Sequence, residues 1–287
     1  MILITGAAGK TGKAVIQALV AKGESVRALV YREEHIPTLK ALGVEEIIIG
    51  DLIDRTTVDN ASMGVRAVYH ICPNMSPDEI MIGRFVIDAA GALGIEHLVY
   101  HSVLHPQTES MPHHWFKLRL EELLVESGVP FTILQPTAYM QNILSHWNSI
   151  YNAGIFPVPY SVEARSSLVD LQDVAQVAAA VLTAGGHIGA TYELVGVESI
   201  SQTEIADTLS SKLGRTVKAQ EIPHADWERG ARASGLGDYQ VETLIKMFEF
   251  YGQHSFVGNS NVLRWLLDRE PTTFESFVDR ENPINAV

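Results

Sequence analysis

The feature that most constrains this chain is its opening: a short apolar segment, Ile2 to Thr5, runs straight into Gly6-Ala7-Ala8-Gly9-Lys10-Thr11-Gly12. The glycines let the backbone turn tightly and leave room where a Cβ would obstruct a close neighbour. Lys10 to Ala21 then carries Val15, Ile16, Leu19 and Val20 on one face, the spacing of an amphipathic helix. A buried strand that feeds a helix through a glycine loop is the first half of a strand–helix–strand crossover.

The same beat continues. Strands are expected at Ser25 to Val30, Glu46 to Ile49, Ala67 to Ile71, His97 to Ser102 and Phe131 to Leu134. Between them helices are expected through Leu39 and Leu42, around Thr57 to Met63, over Ile80 to Ala92, and from Pro112 to Ser127. Strands separated by helices of this length imply crossovers and a parallel sheet. Right-handed crossovers make that sheet doubly wound, an α/β fold of the Rossmann type.

Beyond about residue 137 the beat loosens. Residues 152–167 look like an irregular strand-and-turn excursion, Val174 to Thr183 like an apolar helix, and Tyr192 to Val195 like a further strand. The remainder is expected to be mostly helical. The expected organisation is a dinucleotide-binding domain over 1–150 and a smaller, mostly helical substrate cap over 151–287. Part of 168–195 is expected to return to the core sheet.

Composition narrows the function. The formal net charge of −13, with no run of Lys or Arg, argues against binding driven by nucleic-acid phosphates. Cys72 is the single cysteine, so an intrachain disulfide and a CxxC site are excluded. The first residues lack a basic stretch and a long apolar core like those of a secretory signal, and no apolar run is long enough to span a bilayer. A cytoplasmic protein with a small-molecule partner, monomeric or homodimeric, is expected. No metal site is expected, since His101 and His105 flank Ser102 without acidic partners at ligand spacing.

Placed between a strand and a helix, the GxxGxxG loop is suited to a dinucleotide pyrophosphate. The anion would rest on the free N–H groups and positive dipole end of the first helix. Gly6, Ala8, Gly9, Lys10, Thr11 and Gly12 are the candidate contacts. The second strand ends in Tyr31-Arg32, where an NAD-type site would carry an acid for the ribose hydroxyl. A guanidinium suits a 2′-phosphate, so NADP(H) is the preferred cofactor and NAD(H) the alternative. Glu33 and Glu34 follow; acids of this kind suit a helix start. Arg32 as a solvated surface charge is the plainer reading.

Asp51 and Leu52, after the third strand, lie where an adenine would pass. Asp51 serves equally well as a turn or cap residue. Cys72 and Pro73 end the fourth strand at the carboxyl edge of the sheet, and Cys72 reads as a small apolar filler.

Several segments together resemble the NmrA-like group of atypical short-chain dehydrogenases/reductases. They are TGAAGKTG at the start, VRALV with its nearby Arg, GDL after the third strand, YHSVLH, HHWFK, SGVPFTILQPTAYMQN, and NVLRWLLDREPTTFESFV near the end. The resemblance covers nearly the whole chain. The group holds NAD(P)H-dependent quinone, azo-dye and triphenylmethane-dye reductases, together with catalytically silent NADP-sensing regulators.

The wider superfamily uses a Ser…Tyr-xxx-Lys pattern. The resemblance places Ser102 at the Ser position, Lys117 at the Lys position and His113 where the Tyr would stand. Lys117 is then expected to position ribose and nicotinamide, and His113 to offer a proton. A polar helix start after Pro112 is the simpler account of His113 and His114. Pro136 matches a position beside the nicotinamide carboxamide and also reads as a strand terminator. Gln135 and Tyr139 could border the ring. Without the Tyr, alcohol dehydrogenation and sugar-nucleotide epimerisation lose ground.

The expected reaction is hydride transfer to a planar conjugated acceptor, such as a quinone, azo compound or related dye. Trp115, Tyr139, Met140 and Trp147 are the candidate pocket residues, with core packing the competing account of each. An NADP(H)-sensing regulator is the alternative, and an epimerase or dehydratase the third reading.

Overall fold

The computed structural model describes residues 1–282. In chain order the first elements are β1 (Ile2–Ile4), α1 (Lys10–Ala21), β2 (Val26–Val30), α2 (Ile36–Ala41), β3 (Glu46–Ile49) and α3 (Arg55–Ser62). Next come β4 (Ala67–His70), α4 (Glu79–Leu93), β5 (His97–His101), α5 (Pro112–Glu126) and β6 (Phe131–Pro136). Every strand and helix anticipated in this part is present, with ends shifted by a few residues. Ser25 immediately precedes β2; its carbonyl accepts from Ile2 N–H at 2.8 Å and its hydroxyl donates to Glu45 at 2.6 Å. Gly94 ends α4 in the left-handed region at φ 63°, where its N–H returns to Ala90 and Gly91.

The remaining elements are β7 (Ile155–Val158), β8 (Arg165–Ser166), α6 (Leu171–Thr183), β9 (Ala190–Leu194), β10 (Ile200–Ser201) and α7 (Gln202–Leu213). They are followed by β11 (Lys218–Glu221), α8 (His224–Ala233), α9 (Asp238–His254), α10 (Asn261–Leu267) and α11 (Phe274–Glu281). Seven strands form one sheet in the order β3-β2-β1-β4-β5-β6-β9. The pairs from β3 through β6 are parallel, in the register Ile2↔Val26, Ile2↔Ala67, Ala67↔His97 and Leu98↔Phe131. The order reverses between β1 and β4, which puts the glycine loop at the crevice where such sheets bind ligands.

The chain forms two compact units. The first comprises Met1–Glu109, His113–Pro136 and Val174–Tyr192, and the second Ser110–Pro112, Thr137–Asp173 and Glu193–Val287. Of the expected cap, residues 283–287 lie outside the described residues. The first unit's core packs Leu3, Val68, Leu98 and Ile133 of the sheet with Ile82 and Val86 of α4 and Leu120 and Leu124 of α5. The second unit has its own core, built on Met140, Ile143, Phe156, Leu209, Phe274 and Phe277. β7 and β8 lie in the expected strand-and-turn excursion; β11, which pairs in parallel with β7, and β10, antiparallel with β8, stand where helix was expected. A capping box starts α7, with Glu204 N–H donating to Ser201 Oγ at 3.1 Å and Ser201 N–H to Glu204 Oε2 at 2.7 Å.

Candidate active site

Gly12 shows why the loop after β1 needs glycine. A Cβ there would stand 2.5 Å from the Gly6 carbonyl oxygen and 2.7 Å from Ala7 Cα, both backbone atoms that cannot yield. Gly6 itself is left-handed, at φ 58°. Gly9 caps α1 without a side-chain hydrogen bond. Thr5 fixes the base of the loop: its Oγ donates to the Ile71 carbonyl at 3.0 Å, accepts from Ile71 N–H at 2.8 Å, and meets His70 Nδ1 at 3.0 Å. This tight, uncapped loop fits an anionic diphosphate. Ala8 lies in this loop, and Lys10 and Thr11 in the first turn of α1.

Arg32 is exposed at the end of β2, with one guanidinium nitrogen 3.4 Å from Glu34. Asp51 Oδ1 accepts from Ile53 N–H at 3.2 Å, the plain turn role, and Leu52 is buried. Cys72 is buried, and burial followed by the Glu79 charge pushes its thiol up, so it is not a thiolate. Pro73 is exposed beside it.

The polar centre of the first unit lies between α4, α5 and the ends of β5 and β6. Two helices approach closely there because Gly83 has no side chain: a Cβ at Gly83 would fall 2.3 Å from the Leu120 methyl carbons. One turn before Gly83, buried Glu79 accepts from Lys117 Nζ at 2.6 Å and from the Tyr100 hydroxyl at 2.9 Å. The Lys117 ammonium also stands 5.5 Å from the centre of the Tyr100 ring. One turn beyond Lys117, buried Glu121 accepts from the Ser102 hydroxyl. It also accepts from Gln135 Nε2, at 2.9 and 3.0 Å to its two oxygens. Pro136 ends β6 beside this cluster, and its carbonyl accepts from Leu104 N–H at 2.9 Å.

His113, Lys117 and Glu121 follow one another at four-residue intervals along a single face of α5. His113 differs from its expected role. Its ring is buried, and burial with the charges of His114 and Lys117 holds its pKa down near about 2. A neutral imidazole at neutral pH has no cationic proton to donate. His114 is held near about 4, mainly by burial, while Nδ1 donates to the His105 carbonyl at 3.1 Å. His70 and His101 are likewise held near about 3 by burial first and Lys117 second. His101 Nδ1 lies 2.6 Å from the Tyr69 hydroxyl. Among the described residues no group of three or more His, Cys, Asp or Glu is arranged to hold a metal. No described helix is long and apolar enough to cross a membrane.

The expected pocket residues fall in both units. Trp115 is a half-buried residue of α5 in the first. In the second, Met140 is fully buried in the core, Trp147 packs against that core, and Tyr139 forms a bridge with Val169. Tyr160 is packed against Phe248 and Tyr251. Sequence reasoning missed Glu79 and Glu121. The four-residue spacing of Lys117 and Glu121 on one helix face was the one signal that could have found Glu121; for Glu79 there was none beyond an acid at a helix start.

The NmrA-like family model matches residues 1–278. The chain is 36% identical over 226 residues to a (4-alkanoyl-5-oxo-2,5-dihydrofuran-3-yl)methyl phosphate reductase of Streptomyces griseus, covering 77% of each chain. It is 27% identical over 279 residues to an NAD(P)H azoreductase of Xenophilus azovorans, covering 96% of each. Among solved structures it is similar to the NADPH complex of quinone oxidoreductase 2 from Escherichia coli. That match has a TM-score of 0.84 and 26% identity, covering 98% of this chain and 99% of the other. This chain belongs to the NmrA-like family.

Proposed function

We propose that the protein is an NADP(H)-dependent reductase of a planar, electron-poor conjugated acceptor. Quinones, azo compounds and related dyes are the first candidates, and the polarised carbon–carbon bond of an unsaturated lactone joins them through the Streptomyces relative. The observation that carries the reading is that one unit holds both a glycine loop at the start of α1 and a lysine fixed on a buried carboxylate. When bound, the dinucleotide supplies hydride.

The chain's own residues supply the rest. Gly6 to Gly12 and the first turn of α1 hold the diphosphate. Arg32 meets the 2′-phosphate, for which it exchanges its exposed contact with Glu34. Glu79 and Tyr100 aim the Lys117 ammonium towards the ribose. Electron-poor acceptors take hydride without an acid–base tyrosine. Tyr100 is unsuited to that role, since it donates to Glu79 and burial pushes its hydroxyl well above the ordinary tyrosine value.

A regulatory NADP(H) sensor is the second reading, favoured by the neutral His113 in place of a tyrosine. An NADPH-oxidation assay over quinones, azo dyes, cationic triarylmethyl dyes and unsaturated lactones separates the two. Turnover with at least one class is expected. No turnover, with tight and unequal binding of NADP+ and NADPH, would establish the sensor instead. Arg32→Ala is expected to weaken NADPH binding about tenfold more than NADH binding, as loss of a charge-assisted contact worth about 1.4 kcal/mol or more.

A further inference from the structure

We propose that the Glu121 carboxyl, acting through the Ser102 hydroxyl, supplies the proton that accompanies hydride when a neutral acceptor is reduced. The proposal rests on the reductase reading above. A quinone or azo acceptor gains a hydride and a proton, whereas a cationic triarylmethyl dye gains hydride alone and becomes neutral. The tyrosine that would give the proton in the wider superfamily is absent, so a neutral acceptor takes its proton from another source.

Burial disqualifies the other titratable groups around Ser102 whose shifts are resolved. His70, His101, His113 and His114 are neutral, and the Cys72 thiol and Tyr100 hydroxyl are pushed upward, away from the neutral range. Glu121 alone of this set moves towards it. Burial raises its carboxyl, and hydrogen bonds from Ser102 and Gln135 and the Lys117 charge pull only part of the way back.

The geometry gives the reason. The hydrogen bonds Glu121 receives come from neutral groups, Ser102 just after β5 and Gln135 on β6. Lys117, one turn earlier on α5, spends its ammonium on Glu79 of α4, and Tyr100 donates to that same carboxylate. Glu121 is therefore a buried acid whose natural counter-charge is engaged elsewhere.

The relay needs only a reversal of one hydrogen bond. With Glu121 ionised, Ser102 donates to it. With Glu121 protonated on Oε1, the carboxyl donates to Ser102 Oγ and the serine hydrogen turns to a second acceptor, while Oε2 still accepts from Gln135. As hydride reaches the acceptor, the Ser102 O–H bond breaks and an O–H or N–H bond forms on the acceptor. The Glu121 proton restores the serine hydroxyl, and solvent restores the carboxyl. One hydride and one proton are delivered, and the cofactor carries away the oxidation.

The test compares two acceptors at saturating NADPH: a neutral benzoquinone and a cationic triarylmethyl dye. Glu121→Gln is expected to lower kcat for the quinone at least about tenfold more than for the dye, the lower end of what a lost general acid costs. The wild-type quinone profile should also lose rate at high pH along a limb that the variant lacks. Ser102→Ala, which keeps Glu121 in place, should shift the same ratio in the same direction. Apart from activity, carbon-13 NMR of the cofactor-free protein should show a glutamate carboxyl titrating above the ordinary range, absent from Glu121→Gln. Equal losses with both acceptors, or a Glu121 that titrates at or below the ordinary range, would overturn the relay. A wild-type enzyme that reduces neither acceptor would overturn the reductase reading itself, even with the NMR titration as expected.

Discussion

The second unit buries two aspartates and the first buries two glutamates, and their partners differ. Asp170 is met by Arg280 at 2.6 and 3.2 Å and by Gln141 at 2.6 Å. Asp173 is met by Arg269 at 2.6 Å and by Thr272 N–H at 2.7 Å. Burial works against the ionised form of Asp170, but the hydrogen bonds from Arg280, Gln172 N–H and Gln141 outweigh it and hold the carboxyl below its ordinary value. Glu79 is paired with Lys117 at 2.6 Å. Glu121 has only neutral donors, and its carboxyl is raised. Three of the four carboxylates fasten segments together through a cation, whereas the fourth is held by neutral donors alone and is raised by burial.

The largest expected effect lies in the second unit. Arg280→Ala leaves Asp170 buried without its cation and should cost about 3 kcal/mol, read from urea denaturation. A loss under about 1 kcal/mol would put Asp170 in the same class as Glu121 and erase the contrast. Gly83→Ala comes next. The new methyl meets Leu120 and forces α4 from α5, for a cost of about 2 kcal/mol and a weaker grip on NADPH as Glu79 and Lys117 separate.

Glu79→Gln keeps the shape and removes the charge; a stability loss of about 1 kcal/mol and a several-fold rise in the KM for NADPH are expected. An unchanged KM would show that Lys117 needs no counter-ion.

The smallest effect is one of sign. Asp170, depressed, contributes stability above the ordinary aspartate value, lost as pH falls below about 4. Glu121, raised, does the reverse: the folded chain holds that proton longer, so stability falls as pH climbs past about 4.3. Glu121→Gln should flatten the second slope and leave the first intact in a series of melts across pH.

The doubly wound sheet was legible because apolar strands and amphipathic helices alternate with a fixed period, and neither depends on distant residues. The loop Gly6 to Gly12 was legible for the same reason: its geometry is local. Glu79 and Glu121 were not. An acid on a helix ordinarily faces water, and nothing within a few residues says that Gly83 will draw α4 onto α5 and close over both. His113 had the opposite problem. Its position in the pattern was readable, but its burial, which sets its charge, belongs to the tertiary structure. The pairing of β7 with β11 escaped notice because a parallel ladder joins segments far apart in the chain and leaves no turn signature between them.

The interleaving of the two units bears on how the chain is made. The first unit takes Val174–Tyr192 only after Thr137–Asp173 has gone to the second, and the second waits for Glu193 onward. On a ribosome, a nascent chain ending near residue 170 has β1 to β6 but lacks β9, so the sheet still has an open edge beyond β6. At that stage β7 is also without β11. Neither unit can finish before synthesis of the other has begun, so the order of translation imposes a period in which two unpaired strand edges are exposed together.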